Sequence, residues 1–152
     1  MTPTVLAIHV AKGRRLPTRS VASVVAEAGA GLVGDRYHGS KHRHVTIQSL
    51  PDLEAAAAEL GRPIDPALTR RNLTISGGSI PTRPGSRVMI GDVELEVVRI
   101  AAPCRLLDDG LGPGAARALH ARGGTVFRLL ASGTIGVGDE VDLSPAEPPA
   151  SD

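Results

Sequence analysis

The spacing of glycine and proline constrains the fold of this sequence more than any other feature. The chain has Gly 18 and Pro 12 in 152 residues, and both residue types interrupt regular elements and mark turns. Long helices are therefore excluded over most of the chain. The apolar residues fall instead into short segments, several of which alternate with polar residues. This pattern predicts many short strands in a chain whose length suits one domain.

The predicted strands are rich in valine, isoleucine and leucine, as buried β-strands commonly are. They are Val5–Val10, residues 21–28, residues 45–47, Leu73–Ile75, Arg87–Ile90, Val93–Ile100, residues 125–130 and residues 137–143. Gly91 and Asp92 stand between two of these segments, and such a pair is a strong signal for a two-residue hairpin. Residues 29–39 are predicted to form a glycine-rich loop.

Two segments favour helix. In the first, Ser49 suits the N-cap, Pro51 and Asp52 suit the first turn, and Gly61 is a stop signal. The second, residues 113–120, is alanine-rich and begins with a proline. A majority of short strands with two modest helices predicts an α+β fold, mostly β, whose sheet curls into a barrel-like form.

Composition excludes several functional classes. Aromatic residues make up 1% of the chain, so there is no stacking platform for single-stranded nucleic acid. The net charge of +1 gives no global field that would attract nucleic acid or an anionic membrane. No apolar run approaches the roughly 20 residues that span a bilayer. We expect no nucleic-acid partner and no membrane partner.

The chain ends suggest where the protein resides and where its domain stops. Val5–Val10 lacks a preceding basic region and reads as a strand rather than a signal peptide. With a single cysteine as well, we expect a cytoplasmic protein. Residues 144–152 are rich in proline, alanine and serine and hold too little apolar surface to order themselves. We therefore expect one domain over residues 1–143 and a disordered tail over residues 144–152.

Cys104 is the only cysteine, and it follows Pro103 just after the apolar segment Val93–Ile100. It cannot form an internal disulfide, which leaves packing, nucleophilicity or metal ligation. A thiolate is the reactive and ligating form, and a cation such as the adjacent Arg105 lowers a thiol pKa. A buried, inert thiol explains the same residues equally well.

Arg70, Arg71 and Asn72 directly precede the predicted strand Leu73–Ile75. Strand alternation would place Arg70 and Asn72 on one face and Arg71 on the other. A guanidinium beside a carboxamide suits an anionic ligand with mixed donors and acceptors. From spacing alone the simpler interpretation is preferred, in which the arginines are solvated and Asn72 caps a turn.

Three histidines lie close together, at His38, His42 and His44, but their spacing matches no closed zinc site. We expect a polar, basic loop that could donate hydrogen bonds to an anion. The sequence also lacks a phosphate-binding Walker loop, a nucleophile elbow and a dinucleotide-binding glycine pattern after a strand.

Four stretches, in order, resemble the MOSC family, the C-terminal domain type of molybdenum cofactor sulfurases. They are the glycine–acid–arginine motif of residues 31–36, the Arg-x-Asn strand of residues 70–73, the strand pair of residues 90–104 that leads to the family cysteine, and the closing segment of residues 123–139. The match runs from about residue 5 to residue 143, and the order and spacing of the motifs together are specific.

The resemblance implies a barrel-like fold that binds the molybdenum cofactor, molybdopterin. It implies that Cys104 ligates molybdenum or carries sulfur. Arg70 and Asn72 match cofactor-holding positions, and Arg43 and Arg71 complete the expected binding set. A soft thiolate ligand for the metal and arginines for the pterin phosphate are chemically compatible with these roles.

Two departures bear on the activity. The pyridoxal-phosphate domain of full-length sulfurases is not expected on this chain, and neither is the N-terminal β-barrel domain of amidoxime-reducing relatives. The leading hypothesis is a molybdenum reductase acting on N-oxygenated compounds. Because the sequence has no flavin, haem, iron–sulfur or nicotinamide signature, its electrons would come from a separate protein.

Two other functions compete with the reductase. The first is a non-catalytic carrier of the cofactor, or of persulfide sulfur received from a donor protein. The second is a small β-barrel nucleic-acid binder, which the charge balance and the scarcity of aromatics weigh against. The basic residues available to such a binder are Arg14, Arg15, Arg43, Arg70 and Arg71.

Overall fold

Short strands carry most of the regular structure. The computed structural model describes residues 2–102, 110–120 and 122–145. Its strands are β1 Val5–Val10, β2 Arg19–Val21, β3 Ser23–Glu27, β4 Gly31–Leu32, β5 Val45–Ser49, β6 Leu73–Ile75, β7 Arg87–Ile90, β8 Val93–Ile100, β9 Thr125–Leu129, β10 Gly133–Gly136 and β11 Val141–Asp142. Its helices are α1 Leu50–Leu60, a 3₁₀ turn Pro66–Leu68 and the short α2 Ala115–Ala118.

The larger sheet has eight strands in the order β11-β7-β8-β9-β5-β6-β1-β2. Its pairings are antiparallel except β5 with β6, which are parallel and connected through α1. Just before β1, Thr4 pairs with Glu140, and the Val5 N–H donates to the Asp139 carbonyl at 2.9 Å. This contact brings β11 back to β1, so the sheet curls into a barrel-like form. The prediction of a mostly β, α+β fold is confirmed.

Aliphatic side chains fill the interior of the curled sheet. In β8, Val93, Leu95 and Val97 are buried while Glu94 and Glu96 between them are partly exposed, the period-two pattern of a strand with one buried face. Phe127 on the neighbouring β9 is fully buried among them. With almost no aromatic residues, the core depends on many small branched side chains rather than a few large ones.

The first helix begins and ends at the predicted residues. The Ser49 hydroxyl accepts a hydrogen bond from the Asp52 N–H at 3.3 Å, and Gly61 adopts a left-handed φ of 80° with its N–H donating to Ala57. Its buried face belongs to a second apolar cluster, separate from the barrel interior. The buried members of that cluster are Leu53, Ala56, Ile64, Ala115, Ala118 and Leu119.

Glycine is required at position 124, where β9 begins. Gly124 has a φ of 93°, and a Cβ there would overlap the backbone carbonyl oxygen of Ile47 on β5. The close approach of these two backbones sets the end of the β5–β9 pairing, at Ile47 opposite Thr125.

The structure differs from the sequence prediction in four places. The segment 21–28 is divided, because β2 joins the large sheet while β3 joins a second sheet of order β10-β3-β4. Strand β4 lies in the predicted loop 29–39, and β10 lies between two predicted strands, since the glycines of both carry little strand propensity. The predicted strand 137–143 contracts to β11, because Gly138 turns the chain at a φ of 96°. Within the described residues, no helix is both long enough and apolar enough to cross a bilayer.

Candidate functional site

A cavity of about 280 Å³, here called the arginine cavity, opens where several loops meet. Its lining residues are Arg14, Arg15, Arg36, Tyr37, Arg43, Arg70, Arg71 and Ala102. Six of these eight are arginine, and none is acidic. They come from the segments after β1, after β4, before β5, before β6 and after β8. The fold therefore concentrates positive charge that is dispersed along the sequence.

Asp35 is not a lining residue of the cavity but contacts Arg36, which is one. Its carboxylate is buried and accepts from the Ala11 N–H at 3.1 Å and from Arg36 Nη1 at 3.0 Å. Arg36 also donates from Nη2 to the Arg70 carbonyl at 2.8 Å. Its remaining Nε is buried, with no hydrogen-bond partner among the described residues. A buried donor that lacks an acceptor is costly.

Tyr37 is the single tyrosine of the chain, and it holds guanidinium groups around its ring. The Cζ atoms of Arg43, Arg36 and Arg14 lie 4.3, 4.6 and 6.0 Å from the ring centroid. Cation–π attraction operates within about 6 Å. It offsets part of the repulsion between like charges and keeps these side chains at the cavity.

Arg70 lies in a turn, not in a strand. It has a φ of 66°, the one positive φ recorded for a described residue other than glycine. Its guanidinium donates to the Leu16 carbonyl at 2.9 Å and the Arg14 carbonyl at 2.7 Å. The alternation predicted for residues 70–72 is therefore wrong, because β6 starts only at Leu73. Arg70 and Arg71 line the same cavity.

Arg71 is 5% exposed and connects two segments across the site. Nε donates to the Gly123 carbonyl at 2.8 Å and Nη2 to the Ala102 carbonyl at 2.9 Å. Ala102 follows β8 and Gly123 precedes β9, so one guanidinium joins the end of one strand to the entry of the next. These hydrogen bonds connect the two backbone segments and hold the positive charge of Arg71 at the cavity.

Asn72 does not line the cavity. Its Oδ1 accepts from the Thr46 N–H at 3.0 Å, and its Nδ2 donates to the His9 carbonyl at 3.1 Å. The carboxamide thus crosslinks β1 and β5 at the point where the chain leaves Arg71. The simpler interpretation of the sequence, with solvated arginines at positions 70 and 71 and Asn72 as a turn cap, is therefore wrong.

His9 is buried beside this crosslink, with Nδ1 lacking a hydrogen-bond partner in the described part of the chain. Burial lowers the pKa of the His9 imidazole below its usual range, and the nearby charge of Asp65 opposes that shift. Two of the three loop histidines, His38 and His44, make contacts with other parts of the chain. His44 accepts from the Leu129 N–H at 2.9 Å, and the His38 Nε2 lies 2.7 Å from Glu27 Oε1.

The other predicted site residues divide into two groups. Arg43, Arg70 and Arg71 meet at the cavity, whereas Cys104 lies outside the described residues. Tyr37 and Arg36 were not predicted as site residues. The signal that could have identified them is their position directly after Gly34-Asp35, where a polar loop leaves a short glycine strand.

The fold is similar to several solved structures. The YuaD protein from Bacillus subtilis aligns with a TM-score of 0.82 at 20% identity, over 93% of this chain and 94% of that one. YiiM from Geobacillus stearothermophilus gives a TM-score of 0.75 at 18% identity, over 94% of this chain and 75% of its own. YiiM from Escherichia coli gives 0.72 at 18% identity, over 97% and 71%. At these identities the similarity shows the fold alone.

Sequence comparison defines the family. A search of curated proteins gave no significant match. The family model described as the MOSC domain matches residues 34–142, a range that holds most of the barrel together with Arg36, Tyr37, Arg43, Arg70 and Arg71. The chain therefore belongs to the MOSC domain family.

Proposed function

We propose that the arginine cavity binds the molybdenum cofactor by its pterin phosphate. MOSC domains are associated with binding of this cofactor. The observation that carries the proposal is the convergence of six arginines on one cavity, with no acidic side chain among the lining residues that the structure describes. Guanidinium groups form forked, charge-assisted hydrogen bonds with phosphate oxygens. The buried Arg36 Nε, which lacks a partner in the described structure, fits a phosphate oxygen as its acceptor.

The roles of the individual residues follow from their contacts. Arg43 and Arg36 lie on Tyr37 and would bind the phosphate directly. Arg70 and Arg71 are fixed by backbone carbonyls and would add charge from an already ordered position, which lowers the entropy lost on binding. Asn72 would act indirectly, by holding the backbone that carries both arginines.

We further propose that Cys104 is the molybdenum ligand. Ala102 lines the cavity, and Cys104 follows it by two residues in the sequence. Thiolate is a soft ligand suited to such a metal site, and a field of guanidinium groups favours the thiolate over the thiol. When bound, the cofactor would supply two-electron oxidation–reduction chemistry.

The reaction we propose is reduction of an N-hydroxylated compound. It consumes two electrons and two protons and releases the amine and water, with the electrons delivered by a separate donor protein. The chain's own contribution would be to hold the cofactor phosphate in the arginine cavity and to present the Cys104 thiolate.

The test is to purify the chain from a cofactor-competent host and measure molybdenum and pterin per chain. Arg43→Gln and Cys104→Ser should lower occupancy or activity. Arg83→Gln, which removes an exposed arginine outside the cavity, should leave both unchanged. Absence of molybdenum and pterin from the unaltered chain would refute the proposal.

A second experiment tests the activity. Cofactor-loaded protein given reduced viologen should turn over an N-hydroxylated substrate. Bound cofactor with no turnover on several substrates would instead establish the carrier.

A further inference from the structure

A second cavity, of about 230 Å³, opens at one end of the barrel beside the start of α1. We call it the Thr125 cavity. The lining residues that matter here are Asp52, Ser79, Ile80, Ile100, Gly124 and Thr125. The two cavities have no lining residue in common within the described part of the chain, and nothing in the proposed function uses the second one.

Thr125 gives this cavity an unsatisfied polar atom. The residue is 1% exposed, and its Oγ1 has no hydrogen-bond partner among the described residues. Thr125 lies two positions before Phe127 on β9, and so on the same inward face. It pairs with Ile47 of β5 and Ile100 of β8. A buried hydroxyl without a partner costs stability. A ligand that forms a hydrogen bond with this atom would remove that cost.

Asp52 indicates which charge that ligand should carry. Among the described residues that line the cavity it is the one that carries a charge, and its carboxyl group occupies the first turn of α1, where it complements the positive end of the helix dipole. An added anion would meet this carboxylate as a like charge. A group that carries N–H donors and positive charge would instead be attracted to it.

The apolar residues that line the cavity indicate the chemistry of the uncharged part of the ligand. Ile80 is partly buried against the barrel core, and Ile100 is 50% exposed. These two side chains add apolar surface to a cavity that is also lined by the polar residues Asp52, Ser79 and Thr125. We propose that the Thr125 cavity binds a small organic cation, an amidinium or primary ammonium on a short apolar body. Its N–H groups donate to Asp52 and Thr125, and its body lies between the two isoleucines.

The two cavities therefore select opposite charges. The arginine cavity favours anions, and the Thr125 cavity favours N–H-bearing cations. The second site does not depend on the cofactor, so its ligand should bind whether or not the arginine cavity is filled.

The experiment is a titration of the full-length, ¹⁵N-labelled protein with benzamidine, followed by amide chemical shifts. Shifts should concentrate at Asp52, Ser79, Gly124 and Thr125. Loss of a hydrogen bond to a charged group weakens binding by about tenfold or more. Asp52→Asn should show that loss, whereas Glu54→Gln, an exposed carboxylate of the same helix, should not.

A second pair of variants isolates the hydroxyl. Thr125→Val should weaken binding and Thr125→Ser should retain it. Benzyl alcohol, a neutral analogue of similar size, should bind more weakly than benzamidine. Shifts that centre on Asp139, Glu140 and Asp142 around β11, an unchanged affinity in Asp52→Asn, or equal binding of the neutral analogue would each overturn the proposal. If Thr125→Val does not fold, Thr125→Ser and Asp52→Asn carry the test.

Discussion

The guanidinium carbon of Arg43 lies 4.3 Å from the centroid of the Tyr37 ring. The same ring holds Arg36 at 4.6 Å, so one aromatic side chain orients two cations that face the same cavity. Like charges this close repel each other, and the ring offsets part of that repulsion. Tyr37 is thus a positioning residue for the arginine cavity.

Replacing Tyr37 separates the roles of its ring and its hydroxyl. Tyr37→Phe keeps the π face, so we expect nearly unchanged affinity for inorganic pyrophosphate as an anionic probe. Tyr37→Leu removes the face, and at about 0.5–2 kcal/mol per cation–π contact we expect a several-fold loss. Isothermal calorimetry measures both, with circular dichroism as the folding control. An equal loss in the two variants would assign the effect to the hydroxyl instead.

Arg70 combines a strained backbone with a charge at the arginine cavity. Both Arg70→Ala and Arg70→Gly lose the hydrogen bonds to Leu16 and Arg14 and should lower cofactor occupancy alike. The two differ in the backbone, because the φ of 66° disfavours alanine over glycine by about 1 kcal/mol. Urea unfolding should therefore find Arg70→Gly the more stable. The reverse order would mean that the left-handed conformation is absent in solution.

Arg71 should matter for folding as well as for binding. Arg71→Ala leaves the carbonyls of Gly123 and Ala102 without the donor that serves them. Gly123 is buried, and an unpaired buried group costs about 1–3 kcal/mol, whereas the exposed Ala102 can bond to water instead. Arg71→Lys keeps the charge but cannot form the same forked contact. Its stability should therefore lie between that of the unaltered protein and that of Arg71→Ala. Equal stability of all three proteins in chemical denaturation would contradict this assignment.

His9 makes stability depend on pH. Its pKa is lowered in the folded state, whereas in the unfolded chain it titrates near its ordinary pKa of about 6.5. Between the two values the unfolded state binds more protons, so the free energy of unfolding falls as pH drops through about 6.5.

Denaturation curves one pH unit above and below that value measure the effect, with a slope of at most about 1.4 kcal/mol per pH unit for one proton. His9→Gln should flatten the slope. Asp65→Asn should steepen it, because the Asp65 charge opposes the shift. A slope that His9→Gln leaves unaltered would assign the pH dependence to other groups.

The domain boundary at Leu143 can be tested by truncation. Leu143 packs against the barrel core, and its side chain occupies the space beside Gly78 that a Cβ would need. A chain that ends at Leu143 should melt close to the full-length protein. A chain that ends at Asp142 should lose about 1–2 kcal/mol, the burial of part of one leucine. A large loss in the longer truncation product would show that residues beyond 143 stabilise the domain.

The sequence by itself determined the elements whose signals are local. Ser49 and Gly61 bound α1 as predicted, because capping depends on side chains within one turn of the helix end. Gly91 and Asp92 form the predicted two-residue hairpin, with Ile90 opposite Val93. The order of motifs also identified the family, since such motifs are read directly from the chain.

Only the tertiary structure decided which distant residues meet. Arg14, Arg43 and Arg70 come from three separate loops, and no local pattern shows that they share one cavity with Tyr37. The alternation expected for Arg70 and Asn72 fails because a left-handed residue and a crosslink to Thr46 delay the strand to Leu73. Thr125 likewise looks like an ordinary strand residue in the sequence. Its hydroxyl, which lacks a partner in the part of the chain that the structure describes, is buried because β5, β8 and β9 pair around it. Pairing between strands depends on contacts that lie far apart along the chain.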